Sequence, residues 1–318
     1  MSEPVKIGVV GVGYLGSIHA QIYTRLSDVT LVGVNDVNSD VGKRVAVDCG
    51  CDFYSDVDQL ADSVDAVSVV VPTSCHREVS LPFLHRGIPV LLEKPVAHTL
   101  DDARLIVNEA EQSGAILQIG HLERFNAGVV RLHKELDRPR FIEVHRLSEF
   151  VERATDVDVV TDLMIHDIDI VLSLVRSELK YVSAVGASIV TNHVDIANAR
   201  LEFEDGAIAN VTASRVSAKR FRRIRVFADA CYLALNFEDQ QIEISRPGKR
   251  PPDGRFAPII NSSIQVEATP PLDSELAHFV DCVRKGKQPL VTGSDGLQAL
   301  KVAYDVREKI EKSLHSFV

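Results

Sequence analysis

Positive charge is in deficit in this chain. Its 318 residues carry 35 Lys and Arg against 45 Asp and Glu, a formal net charge of −10. Holding a phosphate backbone requires a basic face, so a nucleic-acid partner is not expected. Apolar runs are short, none approaching the ~20 residues of a membrane span. Cysteine is sparse and odd in number: Cys49, Cys51, Cys75, Cys231 and Cys282 are scattered. Cys49-Gly-Cys51 lacks a metal or redox spacing, so all five are expected to be reduced thiols, as in a cytoplasm. Internal repeats and low-complexity tracts are absent. The start, Met1-Ser-Glu-Pro-Val-Lys6, moves directly into a strand, so no signal peptide is expected. The length exceeds what one hydrophobic core usually spans, and two domains are predicted.

Val5-Lys-Ile-Gly-Val-Val10 reads as a strand followed at once by Gly11-Val-Gly13-Tyr-Leu-Gly16 and a helix with Leu15, Ile18, Ile22 and Leu26 on one face. Strand, GxGxxG and helix in that order is the context of a dinucleotide fingerprint. Gly11 would make the tight turn, Gly13 admit the pyrophosphate and Gly16 let helix and strand pack closely. The helix N-terminus offers free N–H groups to phosphates. A second strand, Val29 to Asn35, ends in Asp36, 20 residues after Gly16, where a carboxylate hydrogen-bonds ribose hydroxyls and repels a 2′-phosphate. The alternative is a surface Asp in a βα loop.

Ala66-Val-Ser-Val-Val-Val71 is a third strand, and Pro72-Thr73-Ser-Cys-His76 turns into a helix ending near Gly87. Next comes Val90-Leu-Leu-Glu93-Lys94-Pro95, a buried strand delivering a charged pair to the sheet's carboxyl edge. Ligands of open α/β sheets bind just beyond that edge. Pro95 keeps Lys94 extended, and a partly desolvated ammonium there can hydrogen-bond a substrate hydroxyl and lower its pKa. An ordinary Lys-Pro surface turn is the competing reading. Thr99 with Asp102 forms a capping box for a helix whose core face is Ala103, Ile106, Val107 and Ala110. A strand from Ala115 to Ile119 closes the alternation, which predicts a doubly wound parallel sheet. Cys75-His76 has no partners at zinc spacing, so His76 is placed beside the cofactor, and no metal site is expected.

After Gly120 the pattern changes. His121-Leu-Glu-Arg124-Phe-Asn126 leads into a helix ending near Asp137, and Arg140 to Phe150 reads as a strand. Further short strands with period two follow: Val182 to Val190, Asn198 to Glu204, Ala207 to Ala213, Ile224 to Ala228, Tyr232 to Asn236, Gln241 to Ser245 and Ile264 to Glu267. Turns such as Glu204-Asp205-Gly206 between them predict a largely antiparallel sheet. Arg246 to Pro258 reads as a loop. Two helices finish the chain, Asp273 to Arg284 and Gly296 to Lys312. The helix from Asp158 to Val175 is apolar on nearly every side, yet it carries Asp162, His166, Asp167 and Asp169. Asp162 and His166 lie one turn apart on one face. Burying such groups is costly unless they are paired or line a cavity. They fit a satisfied core pair, or an imidazole oriented by carboxylates that faces a pocket. Lys219-Arg-Phe-Arg-Arg-Ile-Arg225 gathers five cations in seven residues, either as a solvated strand face or as a seat for a substrate diphosphate.

The glycine fingerprint, Glu93-Lys94-Pro95 after a strand and Asp162-x-x-x-His166 on a later helix together resemble the Gfo/Idh/MocA oxidoreductase family across nearly the whole chain, including Glu275-Leu-Ala-His-Phe279, Pro289-Leu-Val-Thr-Gly293 and Gly296-Leu-Gln-Ala-Leu300. The resemblance implies an α/β protein with an N-terminal Rossmann domain, residues 1–121. An α+β domain on an open, mostly antiparallel sheet follows, residues 122–318, for substrate binding and subunit contact, and the last helix is free to pack back on the first domain. It implies Gly11, Gly13, Tyr14, Leu15, Gly16, Asp36, Pro72, Thr73, His76, Glu93 and Lys94 at an NAD cofactor. Lys94, Asp162 and His166 fall at catalytic positions, and Asp169, Arg124 and Asn126 at the substrate. One departure is that the glycines often found around the helix motif are replaced in Val159-Val-Thr-Asp162-Leu-Met-Ile-His166. Within the family, Gly120-His-Leu-Glu-Arg-Phe-Asn126 with Asp162-Leu-Met-Ile-His-Asp-Ile-Asp169 looks most like the UDP-N-acetylglucosamine 3-dehydrogenases, which serve lipid A and related glycans. That implies a cytoplasmic homodimer or homotetramer acting on a nucleotide sugar or sugar, with no membrane partner. Oxidation of inositol or a free hexose, or a non-catalytic NAD-binding sensor, are the alternatives. As a test of Asp36, the Km for NAD is expected to lie below that for NADP, and steady-state kinetics giving the reverse order would overturn the assignment.

Overall fold

The computed structural model describes residues 3–151, 157–252, 254 and 256–315. The chain opens with β1 (Val5–Val10), α1 (Tyr14–Arg25), β2 (Val29–Asn35), α2 (Ser39–Cys49), β3 (Asp52–Phe53), α3 (Val57–Ala61), β4 (Ala66–Val69), α4 (His76–His85), β5 (Val90–Glu93), α5 (Leu100–Ser113) and β6 (Leu117–Gly120). The strands form one sheet in the order β3-β2-β1-β4-β5-β6, every pairing parallel. Helices on both faces require strands that are apolar on both sides. Ile7, Val9, Val67, Val69, Leu91, Leu92 and Ile119 accordingly have no exposed surface, all at 0 %. The capping box holds α5 as the sequence predicts: the Thr99 hydroxyl accepts from the Asp102 N–H at 3.1 Å and donates to the Asp102 carboxylate at 2.8 Å.

Helix α1 buries Gly16, His19, Ala20, Ile22 and Tyr23, a face rotated from the Leu15/Ile18/Ile22/Leu26 stripe that hydropathy predicts. The glycine turn sets this rotation. A Cβ on Gly16 would stand 1.8 Å from the carbonyl oxygen of Gly11, so residue 16 must face the strand whatever the apolar pattern prefers. Gly11 itself has φ +82°, a left-handed conformation suited to glycine.

The second half consists of α6 (Ala127–Glu135), β7 (Pro139–Leu147), a π-helical turn (Val160–Met164), α7 (Ile165–Val175), β8 (Leu179–Ala187), β9 (Ile196–Phe203), β10 (Ile208–Ser214), β11 (Phe221–Ala228), β12 (Cys231–Asn236), β13 (Gln241–Pro247) and β14 (Ile259–Gln265), then α8 (Pro271–Lys285) and α9 (Gly293–His315). Its sheet runs β14-β13-β12-β11-β7-β10-β9-β8. All pairings are antiparallel except β7 with β10. One face is apolar, with Ile142, Val144, Leu201, Val211, Ile224 and Val226 buried. The other carries an aromatic row, Phe141 against Phe227 and Phe227 against Tyr232, with centroids 5.7 and 5.0 Å apart.

Two compact units result: residues up to Phe125 with Pro270–Gln298, and Asn126–Thr269 with the residues from Ala299 on. The division at residue 121 expected from the sequence is therefore revised. Leu276, Phe279 and Val280 of α8 enter the same apolar cluster as Ile7, Val9 and Tyr23, because the parallel sheet has a face that the preceding helices leave uncovered. No helix among the described residues is long and apolar enough to cross a membrane.

The second unit buries an ion pair between β7 and α7. Arg146, inward-facing after Ile142 and Val144, donates from Nε and Nη2 to the two oxygens of Asp167, each at 2.7 Å, with 9 % and 2 % of the two side chains exposed. Removing one partner of such a pair strands the other charge, at a cost of about 3–5 kcal/mol. Asp167→Ala is expected to lower the stability of the second unit by that amount in chemical denaturation. A loss under about 1 kcal/mol would show that the pair does not hold β7 to α7.

Candidate functional site

In the first unit the polar groups collect at the carboxyl ends of β1, β2, β4 and β5. The Gly11 N–H donates to the Asn35 carbonyl at 2.8 Å. The Val12 N–H and the Asn38 N–H each donate to one oxygen of Asp36 at 2.8 Å. Asp36 thereby ties the glycine turn to the end of β2, and its oxygens retain lone pairs for ribose hydroxyls. At Gly13 an added Cβ would meet nothing within 4 Å, and no side chain caps the α1 N-terminus there. The open space at Gly13, the uncapped helix N-terminus and the carboxylate after β2 are a set of features that fits a dinucleotide. Tyr14 and Val37 stand out into solvent, 82 % and 106 % exposed, flanking this turn with apolar surface. Val37 was not singled out from the sequence; a β-branched residue directly after the acidic strand end was its only signal.

One turn of sheet edge away, the Lys94 N–H donates to Glu93 Oε2 at 3.3 Å, while Glu93 Oε1 lies 3.3 Å from Nε2 of His19. His19 is wholly buried on α1. It too escaped the sequence reading, although it lies three residues after Gly16 and therefore on the helix face turned to the sheet. The Lys94–Pro95 peptide is cis. His76 is buried, its Nδ1 2.9 Å from the Pro95 carbonyl and its Nε2 3.1 Å from that of Val71, so it clamps the loop after β4 to the loop after β5. Burial lowers its pKa more than those carbonyls raise it. Pro72 and Thr73 begin the 3₁₀ turn between these loops.

His121, directly after β6, has no exposed surface. Burial first, then the charges of Lys94 and Arg124, push its pKa down to about 3. It is thus a neutral imidazole within electrostatic reach of Lys94, a role that its place in Gly120-His121 did not reveal. Arg124 donates to the Leu290 carbonyl at 3.2 Å. Asn126, which starts the second unit, spends its side-chain oxygen on the Gly128 and Val129 N–H groups at 3.0 and 3.4 Å as the cap of α6.

In the second unit the helix expected from Asp158 begins as the π turn. Asp158 accepts from the Val160 and Thr161 N–H groups, both at 3.0 Å, and forms an ion pair with Arg307 of α9 at 3.3 Å. Such widened turns recur at functional sites. Here the turn carries Asp162, half-buried, and ends just before His166, also half-buried. Asp162 lines a cleft of about 430 Å³ with Leu163, Arg146 and Arg215. Asp169 is buried at 2 %. Asp167 is committed to the ion pair with Arg146. Among the described residues no group of three or more His, Cys, Asp or Glu is placed to hold a metal ion.

Residues 5–121 match the pattern of an oxidoreductase family with an NAD-binding Rossmann fold, and residues 98–233 match the GFO/IDH/MocA C-terminal domain. The chain is similar to the UDP-N-acetylglucosamine 3-dehydrogenase of Acidithiobacillus ferrooxidans, 33 % identical over 98 % of both chains. It is 28 % identical to the scyllo-inositol 2-dehydrogenase (NAD(+)) of Bacillus subtilis over 95 % of this chain and 93 % of that one. The solved structure of the Acidithiobacillus enzyme superposes with a TM-score of 0.90 at 32 % identity, covering 98 % of this chain and 99 % of that one. A scyllo-inositol dehydrogenase from Lactobacillus casei with bound NAD(H) and scyllo-inositol shares the fold, with a TM-score of 0.81 at 21 % identity over 98 % of each chain.

The depressed His121 pKa makes stability depend on pH in one direction. The unfolded chain takes up this proton near 6.5 and the folded chain only near 3. Between these values the unfolded state binds more protons, so the stabilisation is complete above pH 6.5 and drains away as pH falls. Denaturant midpoints between pH 7 and 5 are expected to fall more steeply for the wild type than for His121→Gln; parallel curves would contradict the buried neutral imidazole.

Proposed function

The chain belongs to the Gfo/Idh/MocA family of NAD-binding oxidoreductases, and from that premise we propose that it oxidises a secondary hydroxyl of a sugar, the 3-hydroxyl of UDP-N-acetylglucosamine, to the 3-keto sugar. The observation that carries this reading is the match along 98 % of both chains to an enzyme of that name, with Lys94, Asp162 and His166 as the acid–base groups this reading uses. NAD, when bound at the glycine turn and Asp36, supplies the hydride acceptor.

The protein's part is positional and electrostatic. Glu93, 3.3 Å from His19, receives the Lys94 N–H and fixes the backbone from which the ammonium projects. Lys94 stabilises the alkoxide that develops on the substrate oxygen. His166 takes the hydroxyl proton as the carbon gives up its hydrogen, and Asp162, one turn earlier, orients the imidazole. Asp169 and Arg124 contribute to holding the sugar. The product is a ketone of the kind that an aminotransferase converts to an amine. Subunit contacts fall to the aromatic outer face of the second sheet.

Oxidation of an inositol is the second reading, favoured by the 28 % identity with a scyllo-inositol dehydrogenase. A panel of UDP-sugars, inositols and free hexoses, read by NADH absorbance, separates the two. Lys94→Ala and His166→Ala are each expected to lower kcat by about 10²–10⁴ with NAD affinity retained in calorimetry. Near-normal turnover in Lys94→Ala would overturn the assignment.

A further inference from the structure

The basic run Lys219–Arg225 divides when placed on the sheet. Arg223 and Arg225 point to the outer face, Arg223 meeting Glu243 at 2.6 Å and Arg225 pairing with Glu143. Arg222 faces inward with Ile224 and Val226, opposite Arg146 in the β11–β7 register. Arg220 and Arg222 thereby join Arg146 and Arg215 around the cleft of about 430 Å³ that Asp162 also lines.

The lining holds four guanidiniums, Arg146, Arg215, Arg220 and Arg222, beside two acids, Asp162 and Glu149, on a protein whose net charge is −10. Each guanidinium is held in position. Arg146 grips Asp167. Arg215 donates to the Val157 carbonyl at 2.5 Å and lies 3.9 Å from Asp195. Arg220 is 3.5 Å from Glu238, and Arg222 stacks 4.7 Å from the Phe237 centroid. Asp167, Asp195 and Glu238 are not lining residues, so the positive side of these pairs is what the cleft presents. Pre-oriented planar forks that converge on one concavity suit phosphate oxygens, and a neutral cyclitol or hexose gives them nothing to neutralise.

We propose that Arg220 and Arg222, backed by Arg146 and Arg215, seat the diphosphate of a nucleotide-sugar substrate and select it over free sugars. This rests on the sugar-dehydrogenase reading above and adds the residues that choose the substrate class.

The test compares wild type, Arg220→Gln, Arg222→Gln and, as a same-strand control from the outer face, Arg223→Gln. Each is assayed with UDP-N-acetylglucosamine and, separately, titrated with UDP alone by calorimetry. Arg220→Gln and Arg222→Gln are expected to raise KM for the UDP-sugar and Kd for UDP by about 10-fold or more, with the Km for NAD unchanged and Arg223→Gln like wild type. Should Arg222→Gln fail to fold, Arg220→Gln, whose side chain is 68 % exposed, and the salt dependence of UDP binding to wild type carry the test. Wild-type turnover of the UDP-sugar with no change in the cleft variants, or UDP binding indifferent to salt, would overturn the seat alone. UDP binding that depends on these arginines without turnover of any UDP-sugar would support the seat and overturn the proposed reaction.

Discussion

Glu93 stands between two groups that come from opposite ends of the first unit's sequence logic. Its own neighbour Lys94 donates a backbone N–H, and His19, far back on the fingerprint helix, brings a ring nitrogen to within 3.3 Å. Burying a carboxylate and an imidazole is costly unless they face one another or a cavity, which favours this placement at the end of β5. The glycine turn and Lys94 are thus parts of one packed object. Gly16 lets α1 approach the sheet, α1 carries His19 inward, His19 faces Glu93, and the strand ends with Lys94 in register. His76 adds the second tie, through carbonyls on both loops.

The second unit solves a harsher version of the same problem. A helix apolar on almost every side must carry acids and an imidazole past the inner face of a sheet. Asp167 is neutralised at once by a two-pronged guanidinium. Asp162 is turned toward a cleft instead, because the helix begins as a π turn pinned at its start by Asp158. Replacing the glycines common around this motif with Val159, Val160 and Thr161 does not prevent that widening, since Asp158 satisfies two of the turn's backbone donors and the Thr161 hydroxyl.

What could be read from the sequence was local. Glycine spacing, an acid after the second strand, the Thr99–Asp102 cap and alternating hydropathy each lie within a few residues of one another, and both sheets have the character that these patterns predict. Long-range pairing could not be read. His19 with Glu93, Arg146 with Asp167 and α8 with the first sheet join residues separated by tens to hundreds of positions, and periodicity carries no information about partners. The same limit explains the basic run: five cations within seven residues looked like one patch, and only strand register divides them into an outer set and an inner set. Of the elements not read from the sequence, β3 and α3 span only two and five residues, too few for a period to show.

Strand β7 lies at the centre of the second sheet, yet both of its neighbours, β10 and β11, are encoded far downstream, beyond residue 207. On a ribosome, β7 therefore emerges long before either edge can be covered, displaying Ile142 and Val144 to whatever is nearby. The charges interleaved along it, Arg140, Glu143 and Arg146, are of the kind that oppose strand addition by another chain. The guanidinium that locks helix to sheet thus also belongs to the set of charges that breaks the apolar run of an uncovered strand.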